Sequence, residues 1–556
     1  MPPLSRPLRR LAYFSLATGS LYAVDHFAFS DSIQRSFRTL KAGALITLDY
    51  KINFREGAGL EDLQRIHERT AQRILDTCKK NAGLYIKFGQ AIASQNHVLP
   101  PQYNDTFKVL YDSAPVVPST DVRTLFIEEF GHPPEAVFDE FDWTPIGSAS
   151  IAQVHKARLK DGTPVAVKVQ KPYIKTQMNW DLACQSIVTH ALEYLFDIPM
   201  TWTLDYTHRH LRLETDFRNE ARNAERAARD FKGEKEFRDD VYVPKVFWEH
   251  TSGRVMTAEW IDGVPLSATE EVTKRFDATA VVGKIVDMFG FQIFKSGFIH
   301  ADPHPGNFLI RPNPSNPRKP QVVLLDHGLY VEESQSMRLT YAQFWKALML
   351  MDLPTLTRIT ADWGMGDVSM AATSALMRPF DPTKAAQSGT SALSKPTAKD
   401  VFEAQMKAKE RARKMLVDQN KFPKELLFVG RNMTIVRGVN KGFGSPADRV
   451  SMTARWAMRG TSSSESIAFA TSILSTPPTT FSWLRLYISE NISLFRFELH
   501  LFTLALSFWA TKVYGWLARE IFGRKVLGYE EILSEGAKLA MGREFGVVLD
   551  ERAFDA

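Results

Sequence analysis

The stretch Phe298–Asn307, FIHADPHPGN, with Leu324-Leu325-Asp326-His327-Gly328 downstream, constrains this chain more than any other. An acid, Asp302, stands five positions before an amide, Asn307, and a second acid, Asp326, follows later. Two apolar segments between them, Phe308–Ile310 and Val322–Leu325, read as strands. A hard cation such as Mg²⁺ takes few protein oxygens and completes its shell with phosphate oxygens and water, and Asn307 plus Asp326 supply such a pair. Each half alone also reads as a polar turn rich in His and Pro. The order Asp, Asn, two strands, Asp is what carries the chemistry.

Protein kinases set a catalytic Asp and two Mg²⁺ ligands around ATP in this order. Such a fold needs a Lys on an upstream strand and an acid on a following helix. Val165–Val169 alternates as a strand should, after the turn Lys160–Thr163, and presents Lys168 to the α- and β-phosphates. Before it, Pro145–Val154 holds one glycine and several small residues. Gly147, Ser148, Ala149 and Ser150 let backbone approach phosphate, with less freedom than a glycine-rich hairpin. Leu213–Ala221 opens a charged, Ala-rich helix expected to run to about Phe231. On it Asp216 and Glu220 share a face, and one of them is expected to pair with Lys168. Val255–Trp260 reads as a strand leading to a hinge at Glu259–Gly263, which makes Glu259 a candidate ATP contact.

Four motifs together resemble the UbiB or aarF-domain-containing (ADCK) family of atypical kinase-like proteins. Its KxGQ signature matches Lys87-Phe88-Gly89-Gln90, and its SxAQV loop matches Ser150–Val154. Its ExD element matches Glu214-Thr215-Asp216, and its HxDPHPGN loop matches His300–Asn307. The resemblance covers roughly residues 45–345 and, more loosely, a helical tail. Asp326–Tyr330 further resembles the mitochondrial lipid-homeostasis branch rather than the one dedicated to ubiquinone synthesis. The resemblance implies an α+β, two-lobe kinase-like fold with an N-terminal helical extension and a helical C-terminal tail. It implies that Lys168 contacts phosphates and pairs with Glu220, that Asp302 is the catalytic-loop Asp, and that Asn307 and Asp326 hold Mg²⁺. It also implies that Lys87 and Gln90 lie on a helix folding over the site, with Lys87 reaching Glu214, and that Asp216 belongs to the same regulatory element. Gly83, Lys87 and Gln90 fall on one face of that helix, where the small glycine allows close approach.

The chain departs from these patterns in places. Gly147 and Ser148 stand where the family loop is Ala-rich. Ala301 replaces the Arg that protein kinases place before the catalytic Asp, and His304 stands where many carry a Lys. With Ala301 there, a phosphorylated activation loop has no Arg to pair with, so that switch is not expected, and a neutral His304 weakens charge stabilisation of a transferring phosphoryl group. No Ala-Pro-Glu follows Asp326, so a small or lipid acceptor, or water, fits better than a protein substrate. The implied function is Mg-ATP binding with ATPase or small-molecule or lipid phosphotransfer, in mitochondrial membrane lipid or ubiquinone homeostasis. The alternative is a nucleotide-gated, non-catalytic protein that binds a lipid or partner.

The expected divisions are a targeting segment and possible anchor over 1–44, a helical KxGQ extension over 45–135 and an N-lobe over 136–262. A C-lobe over 263–480, with a flexible insert near 381–400, and an amphipathic tail over 481–556 complete the chain. Residues 1–24 hold Arg6, Arg9 and Arg10 and no acid, which favours a mitochondrial presequence over a secretory signal. The uncharged run Leu11–Val24 is short for a membrane span. A net charge of +6 suits contact with anionic lipid or nucleic acid and discriminates little between them; a membrane surface is the expected partner and nucleic acid is not. Two cysteines, Cys78 and Cys184, point to a reducing compartment. In the tail, Leu501, Leu504, Phe508 and Trp516 fall on roughly one face, expected to pack on the kinase-like lobe rather than to lie on a membrane.

Overall fold

The computed structural model describes residues 6–55, 59–93, 101–110, 115–197, 199–376, 380, 421–461, 480–522 and 529. The expected insert at 381–400 lies outside them, as do 401–420 and 462–479 of the stretch 401–480, which the sequence suggests is helical. The chain divides into two compact units, Met1–Asn219 with Val246–Trp260, and Glu220–Lys245 with Ile261–Ala556.

The first unit joins a helical part to a sheet. Helices α1 (Arg6–Phe29), α2 (Ser32–Asn53), α3 (Leu60–Asn81), α4 (Leu84–Ala93), α5 (Pro101–Phe107) and α6 (Ser119–Phe130) precede the strands. No helix among the described residues is long and apolar enough to cross a membrane. Strands β1 (Phe138–Phe141), β2 (Gly147–Ser148), β3 (Ala152–Leu159) and β4 (Pro164–Gln170) are followed by α7 (Ile174–Phe196) and α8 (Leu204–Glu214), while α9 (Phe217–Gly233) starts in this unit and from Glu220 belongs to the second. The sheet runs β1-β3-β4 and then β6 (Val255–Glu259), with β2 on β3, and every pairing is antiparallel.

Alternation decides the faces of this sheet. Val165, Val167 and Val169 of β4 are fully buried against Phe126, Leu125 and Phe138. A period of two then turns Lys168 to the other face. Helix α2 packs on α3 and α7, and a buried ion pair, Arg35 Nη2 to Asp181 Oδ2 at 2.5 Å, joins α2 to α7. Burial pushes the Asp181 carboxyl up to about 6 against the opposing pull of Arg35. Cys78 and Cys184 are free thiols in the helical part, both buried.

The second unit contains β5 (Val241–Tyr242), β7 (Val264–Pro265), α10 (Thr269–Arg275), α11 (Ala278–Phe291), β8 (Phe298–His300), β9 (Phe308–Asn313), β10 (Asn316–Leu324) and β11 (Tyr330–Glu332). Helices α12 (Gln335–Leu350), α13 (Leu353–Asp362), α14 (Val368–Leu376) and α15 (Glu425–Gly442) follow. One sheet runs β5-β10-β9-β7, and β8 pairs with β11 in a separate two-stranded ladder. The Pro-rich segment after Arg311 is the turn of the β9–β10 hairpin, as its composition suggests. The terminal helix Thr480–Phe522 buries Phe497, Leu501, Phe508 and Ala518 and packs on α12.

Three local expectations need correction. The helix expected to run unbroken from Leu213 is two helices, because α8 ends at Glu214 and α9 begins at Phe217. Asp216 lies in the break, where its carboxylate accepts from the Arg218 N–H and so competes with a continuous helical ladder. It therefore shares no helical face with Glu220. Gly83 precedes α4 in the left-handed region, at φ +52°, rather than lying on the helix. Trp516 is exposed, away from the line made by Leu501 and Phe508.

Candidate functional site

In the second unit, β8 delivers the chain into the Asp302 loop. The loop is built from its own backbone: His304 N–H donates to Asp302 O at 2.8 Å, and Asn307 N–H donates to His304 O at 2.8 Å. The Asn307 amide nitrogen donates to Asp302 O at 3.1 Å, which turns its carbonyl oxygen the other way. Asp326 caps its own turn, accepting from the Gly328 N–H at 2.8 Å. Asp302, Asn307 and Asp326 are all half-buried.

One side chain ties these pieces together. His300 accepts from the Asp302 N–H through Nδ1 at 3.1 Å and meets Asp326 O through Nε2 at 2.8 Å. One donor and one acceptor nitrogen make a neutral imidazole. Full burial favours that form and pushes the ring's pKa down, ahead of the opposing pull of Asp326. The ring links the Asp302 loop to the Asp326 turn. His327 does similar work one step on. Its Nε2 faces Leu324 O at 3.1 Å and its Nδ1 faces the Tyr330 hydroxyl at 3.0 Å, while its own carbonyl accepts from Asn223 of α9.

The motif left His300 and His327 without roles, because imidazole bonding depends on which backbone groups the fold brings near. It also contained no sign of α15. Arg431 Nη2 of that helix donates to Asp302 Oδ1 at 3.0 Å, and Asn432 donates to His300 O at 2.7 Å. Phe428 packs on Ala301, Leu329 and Val331.

In the first unit, Gly147 and Ser148 form β2, paired with Val154 and Gln153 of β3. Gly147 and Ala149 are exposed, Ser148 is half-buried and Ser150 is buried. Gln153 explains the glutamine of its motif. Its Oε1 accepts from the Val117 N–H at 2.9 Å, and its amide faces Nε2 of buried His155 at 3.0 Å. Lys171, fully buried, donates Nζ to Ala149 O at 2.6 Å and so holds the loop to the end of β4. Lys168 is half-buried, with Nζ 5.2 Å from the centroid of the Phe217 ring. Glu259 ends β6, opposite Val165.

The KxGQ residues also lie in this unit. Lys87 forms an ion pair with Glu214, both largely buried. Gln90 donates to Leu110 O at 3.0 Å. A Cβ on Gly89 would come within 2.2 Å of a Leu110 methyl, so only glycine lets α4 lie this close to its neighbours. Glu220 is buried in the first turn of α9, in the second unit.

Asn307 and Asp326 are hard oxygen donors on one loop system, the set that suits Mg²⁺ carrying nucleotide phosphates. The family model for the ABC1 atypical kinase-like domain matches residues 109–360. The ABC1 family protein lscO of Purpureocillium lilacinum is 37% identical over 471 residues, 79% of this chain and 79% of that one. The chain belongs to the ABC1 family of atypical kinase-like proteins. An ABC1 family protein of Schizosaccharomyces pombe is 35% identical over 470 residues, 84% of this chain and 86% of that one. AarF domain-containing protein kinase 1 of Xenopus laevis is 36% identical over 368 residues, 64% of this chain and 70% of that one. The α+β kinase-like fold expected from the motifs is therefore that of an ABC1 protein with helical segments at both ends.

Proposed function

We propose that this ABC1 chain binds Mg-ATP and transfers its terminal phosphoryl group to water or to a small or lipid acceptor. The observation that carries the reading is the Asp302–Asn307–Asp326 set, joined through neutral His300 in one compact unit. Asn307 and Asp326 would hold Mg²⁺. That ion, when bound, neutralises charge on the transferring phosphates. Asp302 would orient the acceptor hydroxyl or water and take its proton. Lys168 would supply phosphate-directed charge, with Glu220 as its acidic partner. The small-residue loop Gly147–Ser150 would bring backbone to the phosphates, and Glu259 would contact the nucleotide. Lys87, Gln90, Glu214 and Asp216 would restrain access, the Lys87–Glu214 pair being the fixed point of that restraint.

The reading extends to a membrane surface as partner. The terminal helix buries one face and exposes another, along which Phe502, Leu506, Trp509, Val513 and Trp516 recur at alternating four- and three-residue spacing. Aromatic and aliphatic residues on one helical face suit the headgroup boundary of a bilayer. With the Arg-rich, acid-free start of the chain, this supports a mitochondrial, inner-membrane-associated protein acting in lipid or ubiquinone homeostasis.

The test uses the full chain with γ-labelled ATP and Mg²⁺, with and without cardiolipin-containing liposomes. Label released as phosphate or passed to an acceptor, and lost in Asp326→Asn together with Mg-ATP affinity, is the expected result. Nucleotide bound without turnover in both conditions would instead identify a nucleotide-gated binding protein. Unchanged Mg-ATP affinity in Asp326→Asn by titration calorimetry would remove Asp326 as a metal ligand.

A further inference from the structure

The catalytic loop is short of positive charge in sequence, with Ala301 before Asp302 and His304 after it. The fold brings a cation from far along the chain. Arg431 of α15 reaches Asp302 with Nη2 to Oδ1 at 3.0 Å. The contact is partly sheltered, with the Arg431 side chain 19% exposed and that of Asp302 29%. It is one of three contacts made by a single stretch of α15. Phe428, three residues earlier, packs on the cluster of Ala301, Leu329 and Val331, and Asn432, fully buried, donates to His300 O at 2.7 Å. Residues three and four apart on a helix share a face, so Phe428, Arg431 and Asn432 grip the loop together.

We infer that Arg431 is the positioning residue of Asp302 and supplies the cation that the catalytic loop lacks. This rests on the phosphoryl-transfer reading above. A carboxylate accepts on both oxygens. Binding one oxygen to a helix-borne guanidinium fixes the rotamer, and with it where the carboxylate can meet an acceptor hydroxyl or water. Guanidinium is planar and presents its donors in a rigid fork, so it holds this geometry with little freedom. Phe428 and Asn432 anchor the helix independently of Arg431, so the residue can be replaced without removing the packing beneath it.

The experiment is a double-mutant cycle in the full chain with Arg431→Met, Asp302→Asn and both together. Mg-ATP turnover is read as kcat and KM separately, and thermal unfolding is read in parallel. Misplacing a reacting group by about 1 Å costs on the order of 10²-fold. Arg431→Met is therefore expected to lower kcat by about 10²-fold while KM for Mg-ATP stays within about twofold. Arg431→Lys is expected to recover part of that loss, since it restores charge without the fork. Adding Arg431→Met to Asp302→Asn should cost nothing further in kcat, and the two changes should be non-additive in Tm.

Wild-type kcat in Arg431→Met overturns the inference. So does a loss that is fully retained on top of Asp302→Asn, or one that tracks a fall in Tm with kcat and KM moving together, since each marks a merely structural arginine. A wild-type chain that turns over no ATP, with or without liposomes, removes the phosphoryl-transfer reading and this role with it. That failure is distinct because it shows before any variant is compared.

Discussion

Replacing Glu333 by Gln isolates one buried charge. Glu333 follows β11 immediately before α12, is 5% exposed, and among the described residues neither carboxylate oxygen meets a hydrogen-bond donor. Burial pushes its pKa up to about 8, with Arg338 pulling it back and Glu425 pushing it further up. Below the ordinary value of 4.5 the folded and unfolded chains both hold the proton, and the site costs nothing. Between 4.5 and about 8 the unfolded chain releases its proton and the folded chain keeps it, so stability falls as pH rises. Above pH 8 the full cost is present, roughly 5 kcal/mol at the upper bound and about 2–5 kcal/mol once the site relaxes around the charge. Glu333→Gln keeps the shape and removes the proton. It is expected to match wild type at pH 5 and to exceed it by about 2–5 kcal/mol at pH 8.5, in urea unfolding of the full chain at both pH values. Parallel stability–pH curves for the two proteins would refute the reasoning.

The other perturbations test the first unit. Lys171 is pushed down to about 8 by burial, so below that pH the fold carries a sequestered ammonium, a cost that disappears as pH rises toward the ordinary 10.5. Lys171→Met is expected to gain about 2 kcal/mol at pH 7 after losing its bond to Ala149, and a variant no more stable than wild type at that pH would contradict this. Lys87→Ala strands Glu214 without its cation and is expected to cost about 3 kcal/mol by urea unfolding, with Glu214→Gln recovering most of it; absence of that recovery would mean the pair is not what is lost. In the proposed function the same Lys87→Ala variant raises basal ATP turnover, and an unchanged or lower rate in the labelled-ATP assay counts against a restraining α4.

The sequence by itself determined the elements that obey a local rule. Alternation in Val165–Val169 set which face of the sheet Lys168 takes, because side chains on a strand point to opposite faces in turn. The order of Asp302, Asn307 and Asp326 determined that two carboxylates and an amide share one loop-and-hairpin system, since β9 and β10 are too short to separate them. Glycine at 89 was readable as a motif letter, but its reason, the Leu110 methyl, lies on a neighbouring segment. The break at Asp216 was hidden in a charged, Ala-rich stretch, because part of what holds it is distant in sequence: the Phe217 N–H donates to Gly253 O and the Gln170 amide donates to Thr215 O, beside the Asp216 carboxylate accepting from the Arg218 N–H.

What tertiary structure alone decided is how the acid at 302 is held. Arg431 lies 129 residues from Asp302 in an ordinary amphipathic helix, and nothing in its neighbours marks it. Periodicity reports which residues share a face of one element, and is silent on which distant element that face will meet. The protonation of His300 is of the same kind. Its two nitrogens take opposite roles because one meets an N–H and the other a carbonyl oxygen, partners that exist as neighbours only after β8 and the Asp326 turn have packed.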